Sequence, residues 1–292
     1  LHNMVIVWRI HQTRASNNKN KMCIIFLYNG ENDKESDYSL ILASNRDEYF
    51  SRAAHCLAAW KENSNIYGGR DFQSGKEEGT WFGINIELKK IGVLLNLPGT
   101  TGENVISRGN IVCEYLMNVT PASKYIETLQ AVNKYNGFVL ITVEFGNSCP
   151  IIQTYNNETN ESNIWTDEIL GFSNSVPVNP LKKVDYGKYL LKQICQKHKK
   201  ENSKKDLIEE LLGLLQNKES QLPDPQLEKR RPKMFKELSS IHVRIQEQYG
   251  TRAHTIFILT KSGHIDLIEV SLESPINLEN PTWKRSEYQF NI

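Results

Sequence analysis

A methionine followed directly by a cysteine, Met22-Cys23, opens the first strongly apolar run of this 292-residue chain. If translation starts at Met22, the small Cys23 side chain lets an aminopeptidase remove the methionine, and Cys23 then carries a free α-amine. The reference pKa of such an amine, ~7.7–8.0, lies close to that of a thiol, ~8.5. One residue would then provide both nucleophile and general base. The plainer alternative is a buried strand cysteine, because cysteine is among the most buried residue types. Ser44-Asn45-Arg46-Asp47-Glu48 closes the run SLILAS. A carboxylate at such a strand end can orient an amine or thiol, and Arg52 follows closely enough to pair with either acid. The alternative is an exposed turn with a local ion pair, which is worth little. Leu95-Asn96-Leu97-Pro98-Gly99 reads as a strand ending in a turn, where the Asn96 backbone N–H can meet a developing oxyanion. The Asn174 amide of Gly171-Phe172-Ser173-Asn174 offers a second donor. Arg252, in Gly250-Thr251-Arg252-Ala253-His254, can hold an acidic group. Singly, each of these is ordinary turn chemistry, because Asn and Gly dominate turns for steric reasons.

The elements that must position these residues follow from the apolar pattern. Residues 23–29 and 38–44 read as strands joined by the polar stretch GENDKES, and 79–86 pairs with 90–96 around Leu88-Lys89. The period then changes. Ile111, Val112, Tyr115 and Leu116 share one helical face after Ser107, and Thr120-Pro121 reads as an N-cap before Tyr125, Ile126, Leu129 and Val132. Strands return at 137–145 and 149–155, then helices at 181–198 and 204–216, the second with Ser203 and Asp206 at capping-box spacing. Residues 218–250 are polar and proline-marked and are expected to form a long surface loop, before a hairpin of 254–260 and 264–270 around Lys261-Ser262-Gly263. Strands, then helices, then strands is an α+β order. Two stacked antiparallel sheets with helices on their outer faces would explain strands that are apolar almost throughout.

Composition bounds the function classes. Hydrophobic residues make up 39% and charged residues 24%, and 35 basic against 34 acidic side chains leave a net charge of +1. A nucleic-acid partner would leave a basic excess on one face, so none is expected. No apolar run approaches a membrane span. The five cysteines are far apart, with no disulfide framework and no zinc-ligand spacing, which points to reduced thiols in the cytosol or a similar compartment. Residues 1–21 carry Arg9, Arg14, Lys19 and Lys21 and no acid. This basic extension reads as a targeting peptide or a gene-model artefact with few contacts to the rest; residues 22–292 form one domain.

Taken in order, the motifs carry a resemblance. Met-Cys-Ile-Ile-Phe, Leu-Ala-Ser-Asn-Arg-Asp-Glu, Gly79-Thr80-Trp81-Phe82-Gly83, Tyr135-Asn136-Gly137-Phe138, Gly171-Phe172-Ser173-Asn174, Leu222-Pro223-Asp224 and Tyr249-Gly250-Thr251-Arg252 resemble the NRDE family across the whole chain except the extension. More distantly, the pattern is similar to choloylglycine hydrolases and other N-terminal-nucleophile enzymes. That resemblance implies an αββα sandwich with a catalytic set of Cys23, Asp47, Asn96, Asn174 and Arg252. It departs from the pattern at Ser44, where those enzymes have an arginine, and Arg46 stands on the other side of the asparagine. Asn45, Arg46, Glu48 and Trp81 are then expected at the ligand, and His254 receives no role. The NRDE resemblance implies a cytoplasmic protein, Golgi- or mitochondrion-associated, with roles in secretory-pathway and Golgi organisation. It also implies haem or acyl-CoA and lipid handling, with no cofactor required and haem or acyl-CoA as bound ligand. Cys149-Pro150, His242 and His254 are the candidate haem ligands, each with an ordinary turn or core role as the plainer alternative. The second reading, from a different class, is a thiol amidohydrolase or acyltransferase in which Cys23 attacks an acyl carbonyl and its α-amine carries the proton.

Overall fold

The computed structural model describes residues 22–72, 78–98, 106–132, 134–146 and 149–292. The expectations for residues 1–21 and the turn glycine Gly99 lie outside them. Two seven-stranded antiparallel sheets account for the described strands. The first contains β1 (Ile24–Asn29), β2 (Tyr38–Tyr49), β10 (Ile169–Ser173), β11 (Arg244–Ile245), β12 (Tyr249–Thr260), β13 (His264–Leu272) and β14 (Trp283–Asn291). Its order is β10-β1-β2-β12-β13-β14, with β11 paired to β12. The second runs in sequence order from β3 (Ala54–Ala59) and β4 (Ile66–Asp71) through β5 (Phe82–Asn85), β6 (Lys90–Asn96) and β7 (Phe138–Glu144) to β8 (Ile151–Asn156) and β9 (Glu161–Trp165).

Strand alternation divides the apolar side chains into three layers. Odd positions of β1 and even positions of β2, such as Ile25, Leu27, Leu40 and Leu42, meet Phe82, Ile91, Val93 and Ile141 of the second sheet. The opposite face of the first sheet, with Ile24, Phe26, Ile41 and Ala43, is covered by α3 (Lys182–Lys197) and α4 (Lys204–Leu215) through Val184, Leu191, Leu207 and Leu211. The outer face of the second sheet is covered by α1 (Gly109–Met117) and α2 (Ala122–Gln130), whose Val112, Tyr115 and Ile126 pack on Leu94, Phe138 and Leu140. The architecture is therefore the expected α+β sandwich of two antiparallel sheets flanked by helices. It explains why β1, β2 and β12 are apolar on both faces: each has a sheet on one side and helices on the other.

Three local expectations are corrected. Thr120 does not cap α2; its hydroxyl binds Asn118 Oδ1 at 2.7 Å, and the Ala122 N–H is taken by Glu144 Oε1 of β7 at 3.1 Å. Ser203 makes no side-chain cap, because its hydroxyl donates back to Lys200 O at 2.8 Å. Residues 218–250 are not a surface loop. They hold α5 (Pro225–Arg230), α6 (Phe235–Leu238) and β11, and bury Leu227, Leu238, Ile241 and Val243. Asp224 caps α5 through the N–H groups of Gln226 and Leu227 and also accepts from Lys182 N at 2.9 Å, so the Leu-Pro-Asp motif ties α5 to the start of α3.

Gly187 lets α3 lie on β1. A Cβ there would stand 2.1 Å from the Phe26 ring, which is held between sheet and helix. Gly187→Ala is expected to destabilise the fold by ~1–3 kcal/mol through overpacking, despite alanine's better helix propensity. A urea midpoint equal to or above that of the native sequence would contradict this packing.

Candidate functional site

Cys23 stands just ahead of β1, with its side chain on the inter-sheet face. β2 runs beside it in the register Ile24↔Asn45, so the polar run Asn45 to Glu48 lies inside a strand rather than in a turn. The strand extends because Thr251 pairs with Asp47 and Gly250 with Glu48 on β12, with a register shift between Thr251 and Ala253. Of the residues expected from the sequence, Cys23, Arg46, Asp47, Glu48, Trp81 and Asn96 line one cleft, which encloses about 80 Å³. Arg52, Asp71, Thr80, Ser107 and Arg108 complete it. Gly79 and Gly109 let the two backbones meet at its edge: a Cβ on Gly79 would stand 2.9 Å from Gly109 Cα.

The charges of the cleft are held in fixed positions. The Arg46 guanidinium stacks 3.8 Å over the Trp81 ring. Arg52 reaches Glu48 Oε2 at 3.4 Å and Asp71 Oδ1 at 3.1 Å. Arg108 donates to Gly137 O at 2.6 Å, and burial lowers its pKa to about 10, so it stays charged at neutral pH. The Cys23 thiol contacts Asp47 O at 3.9 Å. Burial, and then the Asp47 carboxylate, push that thiol up to about 12. Asp47 Oδ1 accepts from Thr251 Oγ1 at 2.6 Å, whereas its buried Oδ2 has no partner among the described residues. Burial raises the Asp47 carboxyl to about 7, against the opposing pull of Lys183. Met22 is 5% exposed and packs in the helix-side core, and its nitrogen donates to the Tyr249 hydroxyl at 2.6 Å.

Three expected site residues lie off the cleft. Asn45 alternates onto the helix side of β2, where its amide donates to Leu215 O at 2.8 Å and Ile241 O at 3.1 Å and its Oδ1 meets His254 Nδ1 at 2.7 Å. It is committed to the packing of α4 and does not line this cleft. Asn174 reaches the cleft only through Asn96, donating to Asn96 O at 2.5 Å. Arg252 sits behind Arg46 and Trp81, donating to Tyr49 O at 3.0 Å and to Arg52 O. Of the suggested haem ligands, Cys149 is exposed before β8, while His242 and His254 lie together with ring centroids 5.6 Å apart in a separate pocket. Sequence reading missed Lys183, fully buried in α3 with Nζ donating to Ser240 O at 3.1 Å, since a lysine in a helix ordinarily reads as solvent-facing. It also missed Thr251, Asp71 and Arg108; only the Arg-Gly step ahead of α1 could have signalled the last of these. Among the described residues no group of three or more His, Cys, Asp or Glu side chains is placed to hold a metal ion, and no helix is long and apolar enough to cross a membrane.

A family model described as Transport and Golgi organisation 2 matches residues 22–274. The chain belongs to that family. It is the family to which the ordered NRDE motifs pointed. The chain is 33% identical over 262 residues to Transport and Golgi organization protein 2 of Drosophila melanogaster, covering 86% of this chain and 92% of that protein. It is 31% identical over 281 residues to the Mus musculus homolog, covering 93% and 99% respectively. Among solved structures, the Caenorhabditis elegans N-acylethanolamine-hydrolyzing acid amidase ortholog aligns with a TM-score of 0.44 at 10% identity, over 81% of this chain and 92% of that chain.

Proposed function

We propose that this family member acts at the cytoplasmic side of the secretory pathway, in transport and Golgi organisation, by holding an amphipathic anion such as an acyl-CoA or haem at the Cys23 cleft. The observation that carries this reading is the arginine set. Arg46, Arg52 and Arg108 converge on one small cleft beside Trp81 and Leu94; Arg52 is held there by Glu48 and Asp71, which leaves Arg46 and Arg108 to meet a ligand. Arginine forks match carboxylate and phosphate geometry, and both ligands carry such groups on an apolar body. The enclosed volume of about 80 Å³ takes a head group or a carbonyl, so the body of the ligand would lie outside it. With Met22 in place the Cys23 nitrogen is an amide and cannot serve as a base, which favours binding over chemistry.

The test is binding of palmitoyl-CoA and of haemin to the full chain, each by titration calorimetry. Arg46→Ala and Arg108→Met are each expected to weaken the cognate ligand about tenfold, the order of a lost hydrogen bond to a charged group. Unchanged affinity in both variants would reject the cleft as the binding site.

A second reading is favoured by the unpartnered Asp47 Oδ2. In a chain that begins at Cys23, this oxygen and the Tyr249 hydroxyl that Met22 now occupies would receive the free α-amine. The amine would take the thiol proton as Cys23 attacks an acyl carbonyl, giving an N-terminal-cysteine amidohydrolase or acyltransferase. Asn96 would border the oxyanion, held in place by the Asn174 amide on its carbonyl; one oxyanion donor is typically worth roughly 2.7–4 kcal/mol.

A further inference from the structure

On the helix side of the first sheet lies a second pocket that the Cys23 cleft does not use. It encloses about 360 Å³, within the ~300–1,000 Å³ of small-molecule sites. His242, His254 and Trp283 form one wall. The His254 and Trp283 rings are stacked at 5.0 Å with 14° between their planes. Lys218 and Arg244 also line the pocket and are exposed, and no described lining residue is acidic. Phe50, Val243, Leu272 and Leu278 add apolar surface to the lining.

The hydrogen-bonding state of His254 follows from its neighbour. The Asn45 amide nitrogen donates to two carbonyls, Leu215 O and Ile241 O, so Asn45 Oδ1 must be the acceptor facing the imidazole. His254 Nδ1, 2.7 Å away, therefore carries the proton, and Nε2 is left with a lone pair. His254 is 1% exposed, and Nε2 has no partner among the described residues; His242 Nδ1 is also buried without one. Burial lowers His254 to about 3 and His242 to about 4, so both rings stay neutral at physiological pH. A buried acceptor without a donor is costly, and a ligand that brings the donor recovers that loss.

We propose that this pocket binds a small aromatic acid bearing a ring N–H or O–H. The donor reaches His254 Nε2, which is closed to solvent in this structure, as Trp283 shifts on its stack with His254; the ligand ring lies along the wall with Trp283, and the carboxylate faces Lys218 and Arg244. The three requirements come from three separate features: the orphaned lone pair, the apolar wall and the unbalanced positive charge. Asn45, which the sequence placed at a ligand, acts here as a positioning residue that fixes the His254 tautomer.

The probe is indole-3-acetate, which has one ring N–H, a bicyclic ring and a carboxylate. It is titrated into the full chain beside 1-methylindole-3-acetate, which lacks the donor, and indole-3-acetamide, which lacks the charge. Binding is read by ligand-observed NMR, with Trp283 contact checked by loss of signal in Trp283→Leu. The N-methyl compound and the amide are each expected to bind at least about tenfold more weakly than indole-3-acetate. Lys218→Glu, at an exposed position that leaves the core intact, is expected to weaken the acid and not the amide. His254→Phe is expected to abolish the preference for N–H over N-methyl. Equal binding of the N–H and N-methyl compounds, or no binding of indole-3-acetate at millimolar concentration, would overturn the proposal. The comparison of ligands on the unmutated chain decides the matter even if His254→Phe does not fold.

Discussion

A chain that begins at Cys23 is expected to alkylate at Cys23 about 10²-fold faster at pH 8 than the full chain. In the full chain burial holds the thiol up to about 12, so only about one in 10⁴ is ionised at pH 8. Removing Met22 puts a free amine next to the thiol, and its ammonium form favours the thiolate. Return of the thiol toward ~8.5 raises the thiolate fraction about 10³-fold. The less basic thiolate is also a weaker nucleophile, with a Brønsted coefficient of ~0.4–0.5, which brings the net gain down to about 10². Timed iodoacetamide labelling with peptide mass spectrometry reads the rate, and exposed Cys149 is the internal reference. Equal, slow labelling of both forms would remove Cys23 as a nucleophile and leave the binding reading standing.

Replacing Asp47 with asparagine is expected to remove a large pH-dependent contribution to stability. The carboxyl rises from its ordinary 3.8 to about 7 because it is buried. Between about pH 4 and pH 7 the unfolded chain is then ionised at this group while the folded chain keeps the proton. The folded state binds more protons in that window, so raising the pH lowers stability. At about 1.4 kcal/mol for each tenfold change in proton affinity, the loss from pH 5 to pH 8 is about 3 kcal/mol. His242 and His254 pull the other way, because burial lowers both and the unfolded chain is the better proton binder below their ordinary 6.5. The native curve alone is therefore ambiguous. The readout is the difference in unfolding free energy between the native sequence and Asp47→Asn, measured in urea at pH 5 and pH 8, where the histidine contributions cancel. Relative to the variant, the native chain should lose about 3 kcal/mol over that interval. A pH-independent difference would mean that Asp47 ionises normally and is not desolvated.

The parts of this fold that could be read in the sequence are those buried on both faces. CIIFLYN, SLILAS and HTIFILT are continuous apolar runs because a sheet and a helix layer cover them from opposite sides. β3 and β14 gave no such signal. Ala54–Ala59 is largely exposed or half-exposed, and Trp283–Asn291 mixes half-buried and exposed positions along a sheet edge, so neither carries an apolar run that marks a strand. The stretch 218–250 misled for a related reason: its four buried aliphatic residues are spaced among charges and prolines, with no sustained period to mark an element. For the cleft, the polar run after SLILAS supplies Arg46, Asp47 and Glu48 to its lining, and Cys23 and Asn96 join them there. Strand alternation then decided which side chains face the cleft. Asn45 and Arg46 are adjacent in sequence and lie on opposite sides of the sheet, a distinction that depended on knowing Asn45 was inside a strand. Lys183 gave no signal, and Thr251 stood in a motif without a role, because each acts through a carboxylate that tertiary packing brings to it.

Occupancy of the Cys23 cleft by an amphipathic anion is tested most directly by protection. The full chain is labelled with iodoacetamide over hours, with and without palmitoyl-CoA or haemin at ten times its measured Kd, and modified Cys23 and Cys149 are quantified by mass spectrometry. A ligand seated between Arg46, Arg108 and Trp81 should slow Cys23 labelling about tenfold, as mass action requires at that occupancy, and leave Cys149 unchanged. Labelling of Cys23 at the same rate with the ligand demonstrably bound would place that ligand elsewhere on the molecule and contradict the account.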